Sequence, residues 1–415
     1  MDRKVSTAYL KVGMYISKLD RPWVQTPFLI QGFFIKDKAG INELVKYCEY
    51  VYINIDMGEK ADMYLDMLPS TSVPSIKAKQ RLTTNQQVEI ILETGEKSVS
   101  YVDTKTTIEE LPEAKAAIEK ASNCMAHIME YDIRNGKLDM AKAKEAVEPI
   151  VNSIIRNSDA FLWLSKLQDH DSGSYEHSVQ NCALGIVFGR HIGFKKNELS
   201  TLAIGLLLMD VGKIKLPKEL LTKTTPHTQE ETAVMRKHVA FTVEILRAAK
   251  DFNEHIINIA LTHHERYDGS GYPNGLVGTQ TPAFGRMAGI IDCYDSMISS
   301  TPYKQAIPEH KALQNIYNLS EKFFQKDLVE QFIQCMGVYP TGSLVELTSG
   351  AVGAVLSQNT EQKMKPKILM LLDKKKRPIK KHHIFDLSKQ AKVPEFIAKS
   401  LDNNTYGIDI KQVRF

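Results

Sequence analysis

The sequence predicts a mainly α fold: a helical bundle preceded by a small α+β N-terminal domain and followed by a small β-rich C-terminal segment. Three changes of hydrophobic period carry that expectation. Over residues 1–60 short apolar runs alternate with turn signals; over 106–337 apolar residues recur at helical spacing; beyond Tyr339-Pro340 the runs become short and strand-like.

Within the first segment, Leu10 to Ile16, Phe33 to Ile35 and Tyr50 to Ile55 are the strand candidates, with a helix from Ile41 to Cys48 before the last. Residues 61–105 are polar and irregular, with Pro69, Pro74 and the stretch Thr83 to Gln87, and are expected to be a linker. In the helical region Val147, Ile150, Val151, Ile154 and Ile155 define one apolar face. The Gly- and Pro-rich stretch Asp268 to Pro282 interrupts the helices. The C-terminal strand candidates over 340–415 are Ser343 to Leu347, Val352 to Leu356 and Ile368 to Leu372. The run Lys374, Lys375, Lys376, Arg377 before Pro378 could be a basic binding patch; a solvated hairpin turn is the commoner use of such a run.

At 415 residues the chain has room for two or three domains, and 43% hydrophobic with 25% charged residues is an ordinary globular composition. A net charge of +4 makes no case for a long nucleic-acid partner. Five scattered cysteines without a CxxC pair exclude a disulfide framework and a zinc-thiolate site, and fit a reducing compartment. The opening residues hold no apolar core of signal-peptide length. The longest apolar stretch, Leu202 to Met209, is far short of the roughly 20 residues needed to span a bilayer. A soluble, cytoplasmic protein with no membrane partner is expected.

The chemistry concentrates in His177, Asp210, His238, His263, His264 and Asp292. Imidazole and carboxylate without thiolate suit Fe, Mn, Zn, Ni or Mg. Adjacent histidines on a helix diverge by about 100°, so His263 and His264 can approach a metal cluster from two directions. Asp210 and Lys213, three apart, share a helix face. Taken singly, a histidine among apolar neighbours is more often a hydrogen-bonded core residue, and Asp268-Gly269 is only a turn. The string of six is what points to a metal.

The stretch His263-His264-Glu265-Arg266-Tyr267-Asp268-Gly269-Ser270-Gly271-Tyr272-Pro273 matches HHExxDGxGYP in full. Around it lie, in order, Tyr175 and His177, Asp210-Val211-Gly212-Lys213, His238, Arg286, Asp292 within Ile291 to Asp295, and Pro302-Tyr303-Lys304. Over residues 175–305 the chain therefore resembles the HD-GYP family, a branch of the HD phosphohydrolases. Val12-Gly13-Met14-Tyr15 and Asp20-Arg21-Pro22-Trp23 resemble the domain of unknown function often found in front of it.

The resemblance implies an HD-type helical bundle that holds two divalent metal ions, Fe or Mn first and Mg or Ni next. It implies hydrolysis of a cyclic dinucleotide, cyclic di-GMP or 3',3'-cyclic GMP-AMP, to a linear dinucleotide. Carried over by position, His177, Asp210 and Asp292 would hold one metal, and Asp210 would bridge to a second held by His238, His263 and His264. Lys213 and Lys304 match the phosphate-contacting lysines, Arg286 a substrate contact, and Asp210 with Lys213 the catalytic pair. Signalling proteins that dock on the GYP loop are a further implied partner.

The chain departs from the family pattern at the HD pair itself, where Met209 stands in place of histidine before Asp210. A thioether is a poor ligand for a hard divalent metal. Gly173 stands where members with three metals have a glutamate, and Thr301 where an arginine often precedes Pro-Tyr-Lys. One reading keeps an enzyme, with water in the vacated coordination position. The other is a catalytically degenerate receptor that binds the nucleotide or a partner without cutting it. A purely structural scaffold would leave the histidines and aspartates without purpose. His170 is a candidate replacement ligand, although a loop position is expected for it.

Overall fold

The computed structural model describes residues 2–20, 33–35, 37–54, 85–89, 97–136, 138–167, 174–249, 253–300, 305–359, 362–389, 395–410 and 413. Several sequence expectations fall outside them: His170, Gly173, Thr301, Pro302, Tyr303, Lys304, the Arg21-Pro22-Trp23 stretch, and 61–84 of the expected linker. The chain divides into two units, Met1–Arg81 and Leu82–Phe415.

The smaller unit is an antiparallel sheet in the order β1-β4-β2-β3, built from β1 (Asp2–Ser6), β2 (Tyr15–Leu19), β3 (Phe33–Phe34) and β4 (Tyr50–Asn54), with helix α1 (Lys38–Tyr47). Val5, Ile16, Leu19, Leu44, Val51 and Ile53 form its core. Helix α1 begins three residues before the expected Ile41, because the Asp37 carboxylate accepts from the Gly40 amide and caps it.

The larger unit starts its helices where the period changes. Helix α2 (Thr107–His127) is opened by a reciprocal Thr106/Glu109 capping box, and α3 (Met140–Arg156) by Asp139. Val147, Ile150, Val151 and Ile154 are fully buried along α3, the face read from the sequence. There follow α4 (Ser158–Leu167), α5 (Ser174–Ile192), α6 (Lys196–Leu208), the short α7 (Lys218–Leu221), α8 (Gln229–Ala248), α9 (Glu254–Thr262), α10 (Ala283–Ile298), α11 (Glu309–Asn318) and α12 (Lys326–Met336). From Leu202 to Leu208 helix α6 is apolar and buried on every side, as the central part of a bundle must be. Val88 is fully buried in the same core, and Tyr101 donates its hydroxyl to the Phe194 carbonyl at 2.8 Å. Among the described residues no helix is long and apolar enough to cross a membrane.

The C-terminal sheet has the order β8-β7-β6-β5-β9, each pair antiparallel, from β5 (Leu344–Leu347), β6 (Val352–Ser357), β7 (Lys367–Leu372), β8 (Pro378–Asp386) and β9 (Ile397–Ser400). Trp163 of α4 packs with Leu344, Val352, Leu356 and Leu369 and ties the sheet to the helices. The basic run is the turn between β7 and β8. Asp373 accepts from the backbone amides of Lys375 and Arg377 and pairs with the Arg377 guanidinium at 2.8 Å, so the run is a solvated hairpin.

Candidate metal centre

Helix α6 ends at Met209, and Asp210 opens a tight 3-10 turn, Val211–Lys215. Asp210 and Lys213 therefore share a 3-10 turn and not the α-helical face expected. That turn lies against α8 because residue 212 has no side chain: a Cβ there would collide with the His238 carbonyl oxygen and the Thr242 amide. The Gly212 amide donates to Thr242 Oγ1 at 2.9 Å and locks the approach. Asp210 thereby meets His238, which is 2% exposed on α8. His263 caps the C-terminus of α9 and His264 follows just beyond it, so the two rings leave the helix end tilted by 43° with centroids 4.0 Å apart.

One ligand atom from each of Asp210, His238, His263 and His264 lies within 4.8 Å of the others. Asp210 Oδ1 is 3.3 Å from His238 Nε2 and 3.9 Å from His263 Nε2. The tautomers follow from the other ring nitrogens. His238 Nδ1 donates to the Met235 carbonyl at 2.7 Å and His263 Nδ1 to the Ala260 carbonyl at 2.9 Å, and a carbonyl can only accept. Both Nε2 atoms therefore present lone pairs, the arrangement that a backbone carbonyl imposes on a metal-binding histidine. His264 Nε2 stands 3.2 Å from His238 Nε2. His263 Nε2 and Asp210 Oδ1 are buried without a hydrogen-bond partner, a costly state that a bound cation would relieve. The donor set fits a divalent metal.

The electrostatics agree. Burial pushes His238, His263 and His264 below the ordinary imidazole value, so all three are neutral and ready to ligate. Burial works to raise the Asp210 carboxyl, but Lys213, and the three imidazoles in the acid range where they are protonated, outweigh it and hold the group well below the usual carboxylate range. Lys213 Nζ pairs with Asp210 Oδ2 at 2.9 Å. Asp292 on α10 lies 4.0 Å from His264 Nδ1 and is pushed up to about 6 by burial and then by the Asp210 charge. It is an anion short of a counter-charge.

His177, near the start of α5, is not in this group of four. Its Nδ1 is held 2.9 Å from Asp295 Oδ2, and Asp295 is 2% exposed on α10, one turn beyond Asp292. That hydrogen bond raises the His177 pKa and fixes its ring. Arg286, the expected substrate contact, is 7% exposed and turned into structure: it donates to the Thr281 carbonyl at 3.0 Å, bonds Gln325 and pairs with Glu89 at 2.8 Å. Met209 is 1% exposed within the main apolar core.

The GYP loop serves the centre by holding His264. Glu265, 5% exposed, accepts from the Asn274 and Leu276 amides at 2.7 and 3.0 Å and folds the loop back. Gly271 passes so close to Glu265 and Arg266 that a Cβ would strike their backbone. Tyr272 then stacks on the His264 ring at 4.7 Å and 26°, with the Arg236 guanidinium 4.6 Å from the centre of the same tyrosine ring. Sequence reasoning gave no role to Asp295, Glu265 or Arg236. Asp295 was signalled by its spacing of three from Asp292, and Glu265 by its place inside the motif; nothing in the sequence marks Arg236.

A pH dependence follows from the three lowered imidazoles. Their folded-state pKa values lie below that of the unfolded chain, about 6.5, so the unfolded state binds more protons once pH falls beneath that point. The stability they contribute is present above about 6.5 and is lost as pH falls. His177, Asp292 and Asp159, whose pKa values are raised, act in the opposite sense over the same range. Thermal melts of the chelated protein from pH 7 to 5 are expected to fall more steeply for the wild type than for His264→Gln, which removes one of the three lowered imidazoles; equal slopes would contradict the neutral assignment.

A family model described as an HD domain matches residues 165–326, and one described as a domain of unknown function matches residues 2–143. A third, a KOW domain associated with HD domain, matches residues 344–408. A cyclic di-GMP phosphodiesterase of Pseudomonas aeruginosa is 26% identical over 404 residues, covering 96% of this chain and 92% of that protein. A cyclic di-GMP phosphodiesterase of Thermotoga maritima is 33% identical over 165 residues, 40% of this chain and 45% of its own length. The 3'3'-cGAMP-specific phosphodiesterase 2 of Vibrio cholerae is 34% identical over 158 residues, 38% of this chain and 30% of its own. Helical bundle, Asp–His cluster and matched model together define an HD-type domain. Residues 165–326 thus carry an HD domain of the HD-GYP type, with a domain of unknown function in front of it over residues 2–143.

Proposed function

We propose that this protein is a metal-dependent phosphodiesterase that hydrolyses a cyclic dinucleotide, cyclic di-GMP or 3',3'-cyclic GMP-AMP, to a linear dinucleotide. The observation that carries this reading is the convergence of Asp210, His238, His263 and His264, with buried ligand atoms that have no hydrogen-bond partner. The relatives named as cyclic di-GMP and 3'3'-cGAMP phosphodiesterases support the substrate class.

Two divalent ions, Fe or Mn before Mg or Ni, would be held by His177, Asp210 and Asp292 and by Asp210, His238, His263 and His264. When bound, such ions lower the pKa of water and polarise the phosphoryl oxygen. The chain's own groups do the rest. Backbone carbonyls hold His238 and His263 in the ligating tautomer, and Asp295 orients His177. Lys213 keeps Asp210 ionised and brings an ammonium to the place where phosphate charge develops. Lys304 is the second phosphate contact in this reading. Arg286 instead binds Glu89 and Gln325 and braces the entry to α10. The outer face of the GYP loop, with Val277 54% exposed, offers signalling proteins a surface, and the site of action is the cytoplasm.

A receptor without turnover is the second reading, and one observation favours it: Met209 is packed in the core and supplies no hard ligand. Protein prepared without chelators, with Mn or with Fe under anaerobic conditions, decides between them. The enzyme reading expects about two metals per chain and linear dinucleotide from at least one of the two substrates. Bound cyclic dinucleotide with no linear product under every metal condition establishes the receptor instead.

A further inference from the structure

A polar cavity of ≈ 170 Å³ lies in the larger unit where the helices meet the C-terminal sheet. Arg190 and His191 line it from the last turn of α5, Cys335 from the last turn of α12, and Lys363 from the segment between β6 and β7. Lys97 stands at its exposed rim, ahead of α2. None of these residues belongs to the metal centre.

Among the described residues, the charges in this cavity do not balance locally. Its two acidic residues are already engaged: Asp103 pairs with Arg190 at 2.6 Å, and Asp159 accepts from Thr341 Oγ1 at 2.6 Å and from the Gln358 amide at 3.0 Å. Among the described residues, no carboxylate lies within ion-pair distance of Lys97 or Lys363. Lys363 donates one N–H to the Gln334 carbonyl at 3.0 Å, a helix-end contact that leaves two of its three donors over. Arg190 Nε is buried without a hydrogen-bond partner. Burial first, and then Lys97 and Lys363, push the His191 imidazole down to about 3, so it stays neutral and adds no further positive charge. Burial and the neighbouring cation lower both ammonium groups in turn.

We propose that this cavity is a binding site for a small phosphoryl-bearing anion, held between Lys97 and Lys363 with Arg190 behind them. Two ammonium groups with no carboxylate partner among the described residues match a dianion, and each can make charge-assisted hydrogen bonds to its oxygens. The volume exceeds the roughly 150 Å³ of a benzene-sized cavity and falls short of the roughly 300–1,000 Å³ of drug-sized sites. Inorganic phosphate, pyrophosphate or a short phosphomonoester fits; a cyclic dinucleotide does not. This site is independent of the proposed hydrolytic reading.

Calorimetric titration of the full-length, metal-loaded protein with inorganic phosphate, and separately with pyrophosphate, tests it. Because a metal centre also attracts phosphate, the same titrations are run on His263→Ala. The expected result is a saturable anion site that persists in His263→Ala and weakens by roughly tenfold or more in Lys97→Met and in Lys363→Met. Melting temperatures confirm that the variants fold, and Lys97→Met at the exposed rim carries the test alone if Lys363→Met does not. Anion binding that vanishes in His263→Ala, or is unchanged in both lysine variants, overturns the proposal. So does the lack of saturable binding of either anion to the wild type.

Discussion

His263→Ala is expected to abolish production of linear dinucleotide and to strip metal from the protein, with affinity falling by more than about 100-fold. Loss of a group that merely supports a ligand costs about 10–100-fold, and His263 is itself placed as a ligand, fully buried with Nε2 lacking any hydrogen-bond partner. Asp210→Asn should do the same for a different reason. The amide keeps the shape but removes the negative charge that faces Lys213 at 2.9 Å and that would neutralise a bound cation. Elemental analysis and product chromatography on both variants check this, with circular dichroism to exclude misfolding. Retention of near-wild-type turnover by folded His263→Ala would remove the metal centre from the mechanism.

Gly212→Ala has the second largest expected effect, although the change is a single methyl group. The added Cβ would overlap the His238 carbonyl oxygen and the Thr242 amide, backbone atoms that cannot rotate aside. Overpacking of this kind costs about 1–3 kcal/mol. It also levers the Asp210 turn off α8, parting Asp210 from His238, now 3.3 Å apart. Melting temperature and metal content should therefore fall together. A variant that melts lower but keeps its full metal complement would show that the turn's approach serves packing alone.

Much of the fold was legible because burial imposes a period on the chain. The α3 face from Val147 to Ile154 is solvent-free as its spacing demanded, and the strands at Val352 and Ile368 lie where the apolar runs placed them. Strands β8 and β9 were missed for the same reason. They are largely exposed, so their residues are chosen for solvent and carry no apolar alternation. Strand β1, Asp2–Ser6, was missed as a five-residue segment, DRKVS, in which Val5 is the buried apolar residue.

The site divides along a similar line. Which side chains can ligate a metal is a matter of residue type and order, and the sequence by itself singled out Asp210, His238, His263 and His264 across more than 50 residues. It also exposed the missing histidine at Met209. What only the tertiary structure decided is which nitrogen of each ring faces the cluster, because that depends on carbonyls from Met235 and Ala260 at fixed distances. It likewise sent Arg286 to Glu89 and Gln325, and gave His177 to Asp295, contacts between residues 197, 39 and 118 positions apart. Hydrogen bonds act over about 3 Å, and separations along the chain carry no information at that scale until the helices have packed.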